Sequence, residues 1–137
     1  MDLKSFIDSE PLNADRTNEA VYAWAVEPVS TLSHITQGQL LGWTVSVDAI
    51  TRLEAAMLVA ETRAIAKAAM RVVDRTTGLD LADTSAQQML AAMVSLSMFT
   101  QGEIDALNAI GTVQMPRWRG AGVNKPILGD IIAARRV

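Results

Sequence analysis

The sequence predicts an all-α protein, and three observations carry that expectation. Alanine occurs 21 times and methionine 7 times, both good helix formers, while aromatic residues make up 4% of the 137-residue chain. Apolar residues recur at three- and four-residue steps through most of the sequence, the period of a helix buried along one face. Alternating runs rich in β-branched residues, which mark strands, are scarce. Half of the residues are hydrophobic and no repeat, low-complexity tract or long linker divides the chain. The expected architecture is therefore a compact single-domain bundle of about five to seven short-to-medium helices over residues 1–137.

Each element has a local signature. Leu3, Phe6 and Ile7 share a face in a short helix over Leu3–Ser9 that Pro11 stops. Thr17 is an N-cap for a helix carrying Val21, Trp24 and Ala25, ended by Pro28, and Val29–Ile35 reads as loop or extended chain. Thr36-Gln37-Gly38-Gln39 is a capping box opening a helix with Leu40, Leu41 and Trp43. From Val47 to about Arg75 the pattern stays helical with no Pro or Gly. It fits one helix of about 27 residues, roughly 40 Å long, or two helices broken near Glu61-Thr62. Thr76-Thr77-Gly78 is the expected stop. Asp83, Thr84 or Ser85 caps the next helix, which carries Met89, Leu90, Met93, Val94 and Leu96 inward. Thr100-Gln101-Gly102-Glu103 is a second capping box ahead of Ile104, Leu107 and Ile110, with Gly111 as the stop. A loop over Thr112–Pro126 then leads to a last helix, Leu128–Arg136, whose final turn holds two arginines suited to the helix dipole.

Composition excludes much chemistry. With no cysteine there are no disulfides, thiolate metal sites, iron–sulfur clusters or Cys nucleophiles. The one histidine, His34, cannot supply a two-imidazole site, and it lies in a polar loop with no nucleophile elbow elsewhere. Gly120-Ala121-Gly122 lacks the lysine of a phosphate-binding loop. Glu103 and Asp105 lie two apart and do not share a helix face, and Asp80 and Asp83 are placed for capping. No enzyme activity, cofactor, metal or small-molecule substrate is expected. The most apolar run, Met89–Phe99, is about half of the roughly 20 residues a membrane span needs. Met1–Glu10 mixes acids with apolar residues, unlike a signal peptide, so neither membrane partner nor export is expected.

Charge placement is more informative. Arg63, Lys67, Arg71 and Arg75 are spaced four apart and would form a basic ridge on a helix, with Arg52 near the same line. The ridge reads as a solvated face, as a contact for an acidic protein patch, or, most weakly, as a nucleic-acid contact, since the chain carries −3 overall and no reading motif. Residues 1–30 carry six acids and two bases, residues 112–137 one acid and five bases. Those ends can close the fold on itself or join one copy to the next. Trp24 and Trp43 lie in apolar patterns and are core candidates. Trp118, between Arg117 and Arg119, has the composition of an interface anchor or of a local cation–π contact.

Two stretches carry a resemblance. Leu3-Lys4-Ser5-Phe6-Ile7-Asp8-Ser9-Glu10-Pro11-Leu12-Asn13-Ala14, followed by the capped helix to Ala23-Trp24 and by Glu27-Pro28, resembles small late or structural-region proteins of tailed, siphophage-like bacteriophages. So do Ile104-Asp105-Ala106-Leu107-Asn108-Ala109-Ile110-Gly111-Thr112 and the terminal Leu128-Gly129-Asp130-Ile131-Ile132-Ala133-Ala134-Arg135-Arg136. Met115-Pro116-Arg117-Trp118-Arg119 stands where such proteins have a Ser-Arg-Ala-Glu-like helix. The resemblance implies a virion component of head, connector or tail, made in the host cytoplasm, and brings no catalytic residues. The partners expected are other phage structural proteins or copies of the chain itself, met through the ridge residues, Arg117, Trp118, Arg119, Arg135 and Arg136. The alternative is a non-virion phage factor, either an assembly chaperone or an inhibitor of a host defence protein.

Overall fold

The computed structural model describes residues 1–136, and it is mainly helical. Among those residues are nine α-helices, more than the five to seven expected, and the fold is not purely α: four short strands form two two-stranded sheets. The chain makes two compact units, one from Met1–Thr31 with the chain from Val113 onward, the other from Leu32–Thr112.

In the terminal unit, α1 (Leu3–Asp8) starts at Asp2, whose carboxylate accepts from the Ser5 amide at 2.7 Å. That bond holds the Asp2 carboxyl below the usual carboxylate range. Pro11 opens a 3₁₀ turn, Pro11–Asp15, in which the buried Asn13 amide donates to the Ile7 carbonyl at 2.9 Å. Thr17 caps α2 (Asn18–Val26) as its position predicts. The chain leaves this unit through β1 (Pro28–Leu32) and returns through β4 (Thr112–Pro116), which pair with one another. After β4 come α8 (Arg117–Gly120) and α9 (Leu128–Arg135). Two apolar clusters hold the unit: Phe6, Ala25 and Val123, and Ile7, Val21 and Ile131. The oppositely charged ends fold together within it. Arg117 pairs with Glu27 at 3.1 Å, and Arg135 donates to the Arg16 and Asn13 carbonyls at 2.7 and 3.0 Å.

The central unit begins with β2 (His34–Ile35), which pairs antiparallel with β3 (Leu79–Asp80), Ile35 opposite Leu79. Thr36 and Gln39 form the predicted capping box at the start of α3 (Gln37–Ser46). The long helical stretch is two helices, α4 (Ala49–Ala56) and α5 (Arg63–Asp74). Side chains make the break: the Thr62 hydroxyl donates to the Ala56 carbonyl at 2.7 Å and Arg63 Nε to the Met57 carbonyl at 3.0 Å. Those bonds satisfy carbonyls that a continuous helix would have used. α5 ends at Asp74, ahead of the expected stop. Gly78, at φ +74°, serves β2 instead, since a Cβ there would overlap the Ile35 carbonyl. Asp83 caps α6 (Thr84–Ser95), and the Thr100–Glu103 box opens α7 (Gln101–Ile110). The core runs from Ile35, Leu40 and Trp43 through Leu53, Val73 and Leu90 to Ile104 and Leu107. Leu96, predicted to point inward, is exposed.

Candidate interaction groove

The sequence of α5 makes a two-faced helix. Ala66, Ala69, Val72 and Val73 are buried, while Arg63, Lys67 and Arg71 stand on the exposed side at four-residue steps. Alanines on the inward face let neighbouring elements approach closely. Between α5, β3 and the start of α6 the surface opens into a groove of about 560 Å³. Ile65, Ala68, Val72, Leu79, Ala86 and Met89 give it an apolar floor. Arg71 and Arg75 stand along one rim, with Asp83, Ser85 and Gln88 also lining it. The Asp83 carboxylate is engaged as the α6 cap, accepting from the Ser85 amide at 3.0 Å. Arg71 and Arg75 make no ion pair among the described residues.

Four of the five basic residues of the central unit, all but Arg52, are the ridge residues. The positive charge of this unit is thus gathered on and just beyond one helix, beside an apolar trough. Arg75 is the C-cap of α5 with extended backbone, so the helical part of the ridge is Arg63, Lys67 and Arg71. Guanidinium groups stay protonated at any working pH and only donate hydrogen bonds. The arrangement therefore suits a ligand with an apolar face flanked by carboxylates or other anions.

Arg52 leaves the ridge. It grips Glu103 with both terminal nitrogens, at 2.6 and 3.0 Å, donates to the Met98 and Val47 carbonyls at 2.6 and 3.2 Å, and lies 4.4 Å from the Phe99 ring centroid. The Arg52 guanidinium, with the Thr100 amide, holds the Glu103 carboxyl down to about 2. Spacing along one helix could not reveal this pairing, because its partner lies 51 positions away.

The other candidate residues belong to the terminal unit. Trp118 is half-buried against the Phe6–Ala25–Val123 cluster. Arg117 lies 5.0 Å from the ring centroid of Trp24, not over Trp118, and donates to the Trp24 carbonyl at 2.7 Å. Arg135 is committed to the Arg16 and Asn13 carbonyls and to Asn18 Oδ1 at 2.8 Å. Arg119 and Arg136 are exposed. Trp43 is buried and its indole N–H donates to the Glu103 carbonyl at 2.9 Å, whereas Trp24 is half-buried. His34 is exposed.

Sequence reading missed the groove floor. Met89 fits the inward pattern of α6 yet is half-buried there, and Leu79 signals nothing until β3 is placed. Among the apolar protrusions it missed are Leu12, 62% exposed on the 3₁₀ turn, and Leu58, 83% exposed in the turn between α4 and α5.

In comparisons with protein-family models, curated proteins and solved structures, the chain matches none.

Proposed function

We propose that the protein acts by binding other proteins through the α5–α6 groove, as a structural component of a tailed-bacteriophage virion. The observation that carries the binding reading is an apolar floor rimmed by two arginines that have no ion-pair partner among the described residues. Apolar contact supplies affinity at such a site, and the rim charges select an acidic partner and its orientation. Nucleic acid is the weaker occupant, because a phosphate backbone offers no apolar surface to cover the half-buried Ile65 and Met89 of the floor. The virion setting rests on the resemblance of both chain ends to phage late-region proteins.

The test places a photo-cross-linking amino acid at Gln88, on the groove margin, in chain made during infection. The expected result is stoichiometric recovery in purified particles and a cross-linked adduct of fixed mass that disappears in the R71E/R75E variant. Absence from clean particles, with abundance in the infected cell, overturns the virion reading and leaves the assembly-factor alternative. Absence of any adduct dependent on Arg71 and Arg75 overturns the groove reading.

A further inference from the structure

We infer that the groove receives a second copy of this chain, through the acid-flanked Leu12 knob of that copy's terminal unit. The inference rests on the binding reading above and names its partner.

The knob has the features the groove selects for. Leu12 and Pro11 are both exposed, and Leu12 is 62% accessible, a large apolar side chain standing in water. Glu10 and Asp15 flank it, while Asp8 is paired with Lys4 at 2.8 Å. The turn that presents it is fixed. Asn13, 2% exposed, is tied to the Ile7 carbonyl at 2.9 Å, Arg16 donates to Asn13 Oδ1 at 2.9 Å, and Glu10 accepts from the Leu12 amide at 3.3 Å. A pre-ordered protrusion loses little freedom on docking.

The charges match across the two surfaces. Asp15 makes no ion pair among the described residues, and neither do Lys67, Arg71 and Arg75. A leucine-sized knob enters a trough of about 560 Å³ with room for its flanking residues. Knob and groove are different residues, one on each unit, so a single contact leaves the pair with one free knob and one free groove. Filled by further copies these build rings or open filaments, and filled reciprocally they close a two-fold pair.

The experiment is light scattering of the full chain across a concentration series, at low ionic strength and at about 1 M salt, where charge screening acts within roughly 3 Å. We expect mass to rise with concentration to a dimer or beyond and the association to weaken severalfold in high salt. L12D and R71E/R75E each change only exposed side chains, and each should give monomer with an unchanged circular dichroism spectrum. The reciprocal variant D15R/R71E/R75E should recover association. A wild-type chain that stays monomeric overturns the inference, as does association that persists in L12D or a reciprocal variant that stays monomeric. If the self-contact fails while the Gln88 adduct to a different particle protein still depends on Arg71 and Arg75, the binding reading stands and only this choice of partner falls. If both fail, the binding reading falls with it.

Discussion

Arg52 joins three elements of the central unit through one guanidinium: its own helix, the Met98 carbonyl after α6, and Glu103 in the first turn of α7. Glu103 is about one-quarter exposed, so solvent weakens the pair without removing it. Arg52→Ala takes the guanidinium donor from the Met98 carbonyl and leaves the Glu103 carboxylate with the Thr100 amide alone, and we expect a loss of about 2 kcal/mol in chemical denaturation. The Glu103 carboxyl is held near 2, below its ordinary 4.5. A lowered value in the folded state means stability present above about 4.5 and lost as pH falls towards 2. Glu103→Gln should flatten that part of the stability-versus-pH curve, which a pH series of thermal melts will show. Gly111 is a second pressure point. Its φ of −94° is open to any residue, but a Cβ there would overlap Leu81 and crowd Ile35 and the Ser33 carbonyl. Gly111→Ala should destabilise by about 1–3 kcal/mol, the usual range for overpacking.

At the level of elements, what the sequence discloses is what neighbours along the chain decide. Thr17, Thr36 and Thr100 cap helices where their spacing to the next turn predicts, and Asp83 is the one of three candidates that caps α6, because capping is a contact within three residues. Thr36→Ala and Thr100→Ala should each lower stability by about 1 kcal/mol, read by urea midpoint. The strands were less legible. β2 and β3 are two residues long and exist by pairing Ile35 with Leu79 across 43 intervening residues, so no local alternation marks them. The break between α4 and α5 was one of two open readings, and it turns on where the Thr62 hydroxyl bonds rather than on any glycine or proline. The groove was half legible. Its arginines follow a four-residue step, but its floor draws on α5, β3 and α6 together. Arg52 shows the limit of periodicity: its position suggests the ridge, while the fold assigns it to Glu103.

At the scale of the molecule, the central unit is one unbroken stretch, Leu32–Thr112, while the terminal unit is assembled from both ends of the described chain. The central stretch has its own core, from Ile35 to Leu107, and its own paired strands. Expressed alone, residues 32–112 should keep a helical circular dichroism spectrum and a cooperative melt. A fragment that melts without cooperativity would count against that independence. The terminal unit has no contiguous equivalent, since Val21 and Ile131 meet in one cluster from opposite ends of the sequence.

That interleaving dictates how the chain bears load. Tension applied between the N-terminal helix and α9 pulls on two segments of the same unit, against the Ile7–Val21–Ile131 cluster and the Arg135 clasp. The central unit is threaded between those segments and feels no stretching force until they part. Under a steady pull the terminal unit must therefore yield first and the central unit second, whatever their relative stabilities. The groove, borne entirely on the central unit, would outlast the rupture of the first.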